Sequence, residues 1–191
     1  FLRAYRAAYP QVQITLQEST SDLQLNELLN SRIDAGLLLP PLPGRAKDIL
    51  DYLPVLKEPL VLASPADLPE LREQRVADLH SLPQLPLIIF PRPISPGLYD
   101  TILAVFHEAG ITPTIGQEAI QMQTIVSLVS AGMGIALVPQ SVSNLRRPGV
   151  EYQALAQPTS QVETGLAWRR DNTSPVLKGF LSLVRGIVEA A

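Results

Sequence analysis

One stretch, EAIQMQTIVSLVSAGMGIALVP at residues 118–139, constrains the fold more than any other. Met122, Ile125, Val126 and Val129 recur at helical spacing, the apolar stripe of a helix packed along one face. Gly132 then falls where a helix end needs left-handed backbone. Gly134 allows a sharp turn into IALV, a short buried strand. A helix delivered straight onto a buried strand belongs to a layered α/β fold.

The rest of the chain repeats the theme. FLRAYRAAYP reads as the end of a helix, with Phe1, Leu2, Tyr5 and Ala8 on one face and Pro10 stopping it. Val12, Ile14 and Leu16 alternate with polar residues, the period of a half-buried strand over residues 11–17. Ser19, Thr20, Ser21 and Asp22 offer caps for a helix through Leu28 and Leu29, and AGLLLP begins a strand. Helix, strand, helix, strand predicts a parallel sheet with helices on its faces. DYLPVLKEPLVLAS gives two short strands, and the proline-rich residues 64–86 connect to a second lobe through short helical pieces.

That lobe reads as strand 87–90, helix 97–109, strand 113–117, helix 121–131 and strand 134–138. VEYQAL and VETGLAWRR follow as strands, then a closing helix capped by Ser174 with Pro175 in its first position. Two α/β lobes with a long excursion predict a hinged clamshell whose ligand lies between the lobes, at the carboxyl ends of strands and the starts of helices.

Composition narrows the function. A net charge of -3 over 191 residues provides no field to draw the chain to nucleic acid or an anionic membrane. No apolar run approaches the ~20 residues that span a bilayer. The absence of cysteine excludes disulfides and a thiolate nucleophile and suits a cytoplasmic location. His80 and His107 lack partners at metal-ligand spacing, so no metal and no cofactor are expected. GxSxG, GxGxxG and the phosphate-loop pattern are missing, and nothing pairs Glu58, Glu118 or Glu163 as acid and base. A binding module, not an enzyme, is the expectation.

Three strand-to-helix junctions are candidates for the pocket. In residues 18–22, helix capping needs only one hydroxyl, which leaves others among Ser19, Thr20 and Ser21 for a ligand. In FPRPISPGLYD, Ser95, Pro96, Gly97 and Leu98 form either a rigid connector or a pocket wall at a helix start. At the third junction, Ile125, Val126 and Val129 read as core, and Gln121 and Met122 remain as pocket residues.

FLRAYRAAYPQVQI, ESTSDLQLNELLNSRIDAGLLL, EPLVLAS and above all QMQTIVSLVSAGMGIALVP resemble the effector-binding domain of LysR-type transcriptional regulators over essentially the whole chain. The resemblance implies a type 2 periplasmic-binding-protein-like fold. Each lobe would be a mostly parallel sheet flanked by helices, and two crossover strands would join them. Lobe I would comprise residues 1–64 plus 149–191, its first strand lying upstream of Phe1, and lobe II residues 65–148. The resemblance also implies effector contacts at 18–22, at 95–98 and at Gln121 and Met122, and pairing as a homodimer, with tetramers in the intact regulator. DNA would be bound only by a winged helix-turn-helix absent from this chain. Family members that sense aromatic acids can carry a basic residue where this chain has Leu37, Leu38 and Leu39. An organic acid would then rely on helix starts and Arg92. The alternative on the same fold is a periplasmic solute-binding protein serving a transporter.

Overall fold

The computed structural model describes residues 1–71, 75–157 and 159–190. In chain order the elements are α1 Leu2–Ala8, α2 Ser21–Leu29, β1 Ala35–Leu38, α3 Ala46–Ile49, β2 Leu50–Glu58, β3 Leu60–Pro65, β4 Val76–Ala77, β5 Leu87–Ile89, α4 Pro96–Glu108, β6 Ile115–Glu118, α5 Met122–Ser130, β7 Ala136–Pro139, β8 Val150–Leu155, β9 Val162–Arg169 and α6 Pro175–Glu189. Short 3-10 turns lie at Pro69–Leu71, Leu79–Ser81, Arg92–Ile94 and Gln140–Leu145. The proline-rich connection therefore carries two such turns and β4; its residues 72–74 lie outside the described residues.

The chain forms two compact units, Phe1–Leu56 with Glu163–Ala191, and Lys57–Val162. It passes between them inside β2 and returns inside β9. The division expected from sequence ran at 64/65 and 148/149. In the structure β3 pairs with both β7 and β8, which draws all three strands into the second unit.

In the first unit the sheet order is β1-β9-β2, with β1 antiparallel to β9 from Ala35↔Trp168 to Leu38↔Gly165. Leu28, Leu38, Leu42, Ala46, Leu50 and Ala167 bury one cluster; Leu166, Trp168, Leu177, Leu181 and Val184 bury another beneath α6. The expected cap holds, since the Ser174 hydroxyl accepts from the Leu177 N–H with Pro175 at the helix start. The Tyr5 hydroxyl donates to the Val176 carbonyl at 2.8 Å, and its ring meets Phe180 edge-on at 5.1 Å, tying α1 to α6. Tyr5 is the one buried residue of α1; Phe1 and Leu2, expected on the same apolar face, are exposed.

Two expectations fail in this unit. Residues 11–17 are not a strand: they join no ladder among the described residues, and Leu16 is 72 % exposed. Alternation selects a face but cannot form a strand without a neighbour to take its N–H and C=O groups. With no strand there, β1 has no parallel partner among the described residues, and its ladder is the antiparallel one with β9.

The second unit holds the sheet β4-β8-β3-β7 and the pair β5-β6. β5 runs parallel to β6, from Leu87↔Ile115 to Ile89↔Glu118, and a parallel bridge joins Leu87 to Ile135 just before β7. Leu62, Leu87, Ile88, Ile89, Ile102, Ile125, Val126, Val129 and Leu137 are buried in it, so the apolar stripe of α5 is core as expected. Gly134 has φ +150, and a Cβ there would lie 2.1 Å from the Pro86 carbonyl oxygen. Only glycine lets this backbone approach so closely. Gly132, at φ +74, ends α5 in left-handed geometry as anticipated.

Candidate functional site

In the first unit the loop after residues 11–17 reaches α2 at Thr20, which occupies the N-cap position in extended backbone (φ -73, ψ 158). Its carbonyl accepts the first helical bond, from the Gln24 N–H at 2.9 Å, yet its hydroxyl makes no capping bond. The Thr20 side chain therefore does not cap the first-turn N–H groups of α2. Ser19, Thr20 and Ser21 are all half-buried. The turn is braced from within the helix, where Gln24 Nε2 donates to the Ser19 carbonyl at 2.8 Å. Gln24 in turn rests on β1, its Oε1 lying 2.9 Å from where a Cβ on Gly36 would be. Next along β1, Leu37 is 51 % exposed.

In the second unit the parallel pairing does the placing. Because β5 and β6 run in the same direction, their carboxyl ends share one edge of the sheet, and the segments leading to α4 and α5 leave from that edge. The fold thus brings 95–98 and 121–122 to one end of the unit. Ser95 is the N-cap of α4 and Gln121 that of α5, and neither forms a side-chain cap bond. Pro96 and Met122 take the first helical positions. Gly97 is half-buried, and its carbonyl accepts from the Thr101 hydroxyl at 2.8 Å. Leu98 is 5 % exposed, so its side chain is core and only its backbone is left for a ligand. Gln121 is exposed and Met122 half-buried.

Arg92 does not stand ready for a carboxylate as expected. Its Nε and Nη2 donate to the two oxygens of Asp100, both at 2.8 Å, a fork-to-fork pair that closes the 3-10 turn onto α4. The guanidinium beside it holds the Asp100 carboxyl below the usual carboxylate range, and Asp100 raises Arg92 in return. Sequence reasoning missed Gln24, Gly36 and Asp100. Gln24, four residues past the cap on a helix, was the one with a readable signal. Among the described residues no group of three His, Asp or Glu side chains could hold a metal ion.

The family model described as LysR substrate binding domain matches residues 1–188. The chain belongs to the LysR substrate-binding-domain family. The HTH-type transcriptional regulator IlvR of Caulobacter vibrioides is 42 % identical over 183 residues, which cover 96 % of this chain and 60 % of that protein. Full-length CbnR, solved in complex with its target DNA, matches at a TM-score of 0.81 and 26 % identity over 98 % of this chain and 65 % of that one. The effector-binding domain of QuiR, solved with shikimate, matches at a TM-score of 0.84 and 20 % identity over 99 % of this chain and 88 % of that one, a likeness of fold. The α/β, periplasmic-binding-protein-like architecture of the family is thus the fold of this chain. The LysR-domain chain spans about 60 % of the IlvR regulator. The named relatives are transcriptional regulators, not enzymes, and the transporter alternative is not favoured. No described helix is long and apolar enough to cross a membrane.

Proposed function

We propose that this LysR domain is the effector-sensing part of a cytoplasmic DNA-binding transcriptional regulator. A small molecule would contact the hydroxyl turn of Ser19, Thr20 and Ser21 in the first unit, and Ser95, Pro96, Gly97, Leu98, Gln121 and Met122 in the second. The observation that carries this reading is the convergence of two uncapped helix starts on the edge where β5 and β6 end, in a chain that matches the family over 1–188. Uncapped helix starts offer N–H groups to an oxygen-bearing ligand. Leu37 and the engagement of Arg92 by Asp100 favour a ligand held through such N–H groups and hydroxyls over one that depends on a free side-chain cation.

DNA contact belongs in this reading to a headpiece outside the 191 residues. Homodimers of the sensing domain and tetramers of the intact regulator are its expected assemblies. The unpaired alternation of residues 11–17 supports the further expectation of a strand upstream of Phe1 in the complete protein. A ligand shifts such a regulator only through different affinities for its states.

Thermal unfolding of the chain against shikimate and a panel of small hydroxy- and carboxylic acids tests the reading. A ligand at one hundred times its Kd stabilises the folded state by ~2.7 kcal/mol, a shift of several degrees for a chain this size. Substituting Thr20 or Gln121 should reduce that shift. Absence of stabilisation across the panel, for the chain and for the full-length regulator, would count against the proposal.

A further inference from the structure

Glu58 is one of the two buried polar residues among those described, at 8 % exposure, and it is the last residue of β2, the strand that carries the chain out of the first unit. Its carboxylate accepts twice from one residue, Oε2 from the Ser141 N–H and Oε1 from the Ser141 hydroxyl at 2.9 Å. The reason lies in the strand pairing. The β3–β7 ladder reaches Leu60↔Pro139, and one more rung follows, from the Gln140 N–H to the Pro59 carbonyl at 3.0 Å. Pro59 has no N–H with which to continue the ladder. Beyond that last rung the Glu58 carboxylate accepts from the N–H of the next residue on the opposite segment and from the hydroxyl of the same serine.

A buried carboxylate is retained only where its oxygens are well satisfied, so these two bonds hold residues 58–60 and 139–141 as one block. Immediately before Glu58, Leu56 and Lys57 are exposed, and the division between the units falls between them. Further back, Tyr52 anchors β2 inside the first unit, its ring covering Gly165 of β9, where an added Cβ would lie 2.1 Å from Cζ.

We propose that Glu58 is the positioning residue that ends the compliant part of the crossing strand. With Glu58 locked to Ser141, the backbone yields at Leu56–Lys57 and not at the corner between β2 and β3, so that a ligand-dependent change is delivered to the second unit through a rigid entry point. The last clause rests on the sensor reading above; the lock itself does not. Hydrogen–deuterium exchange on the ligand-free 191-residue chain therefore separates the two.

Glu58→Ala should speed exchange at Gln140 and Ser141 by about tenfold or more while β7 residues 136–138 and β2 residues 51–55 keep their protection. Glu58→Gln, whose amide can both accept from the Ser141 N–H and donate to its hydroxyl, should restore most of that protection. If Glu58→Ala does not fold, Ser141→Ala removes only the hydroxyl bond and should give a smaller, equally local acceleration. Unchanged exchange at 140–141, acceleration spread evenly over the second unit, or failure of glutamine to rescue would each overturn the proposal. A lock confirmed in a chain that responds to no effector would leave Glu58 as assigned and remove the sensor reading.

Discussion

The candidate turns of the two units are held by different means. Residues 95–98 and 121–122 sit at the mouths of α4 and α5, which bury Ile102 and Val105, and Ile125, Val126 and Val129, and α5 packs on β3, β5 and β7. Their placement follows from core packing and a parallel ladder. The hydroxyl turn at 19–21 is braced by a polar side chain, Gln24, itself supported at Gly36, while α2 packs further along through Leu25, Leu28 and Leu29. The buried residue of α2 is Leu28, near the helix's far end. Apolar packing is stiff and costly to disturb, whereas a single amide bond contributes about 1 kcal/mol and rearranges readily. The candidate turns of the second unit are thus preformed, and that of the first is adjustable.

The most severe way to break this contrast is through the glycines. Gly134→Ala combines a disfavoured φ of +150 with a Cβ placed 2.1 Å from backbone, the Pro86 carbonyl oxygen. Neither can relax without moving the β5–β7 edge. We expect a loss of about 3 kcal/mol or more in urea unfolding, with both second-unit turns losing amide protection. Gly36→Ala should behave otherwise. The atom it meets, Gln24 Oε1 at 2.9 Å, is the far end of a flexible side chain, so a cost of no more than about 1 kcal/mol is expected. Its signature is displacement of Gln24, read as faster exchange confined to residues 19–23. Equal costs at the two glycines would erase the distinction between the units.

Gln24→Ala isolates the polar brace. Losing the bond to the Ser19 carbonyl should cost about 0.5–1.5 kcal/mol and loosen the Ser19–Thr20 turn without altering 95–98 or 121–122. An effect as large as that of Gly134→Ala would show that the first turn is as deeply embedded as the second.

The same contrast explains what could be read in the sequence. The helix–strand order of residues 87–139 was legible nearly element by element, because stripes such as Ile125, Val126 and Val129 record burial and Gly132 and Gly134 record positive φ. Burial leaves periodicity behind. Residues 11–17 carry an equally clear alternation and are nevertheless unpaired, since a strand depends on a partner that its own sequence does not contain. The lobe boundaries differ for a related reason, as VLAS does not announce that it pairs with both IALVP and VEYQAL. For the candidate site, the three helix starts could be located from hydroxyl, proline and glycine signals. Of their supports, Gln24 beneath Ser19 had a readable signal in its helix spacing, whereas Asp100 on Arg92 did not, being a side-chain pairing that no periodicity marks.

The smallest effect concerns the ion pair of Arg92 and Asp100 beside the candidate turn at 95–98. Asp100 is held below its usual range by the Arg92 fork, so the pair's contribution is present above the unfolded carboxylate value, roughly pH 4, and is lost as pH falls through the lower folded value. Stability should therefore be insensitive to this pair between about pH 5 and 8 and decline only in acid. Both side chains are more than half exposed, at 59 % and 52 %, so solvent and salt screen the pair and the decline should be shallow. Asp100→Asn should flatten it further, measurable as the difference in urea midpoints between pH 6 and pH 3. The same substitution frees the Arg92 fork beside Ser95. If the effector is bound without a side-chain cation, as proposed above, the variant should respond to neutral ligands as the unmodified chain does. A new preference for carboxylates, appearing only in Asp100→Asn, would show that Asp100 had been keeping that arginine out of the site.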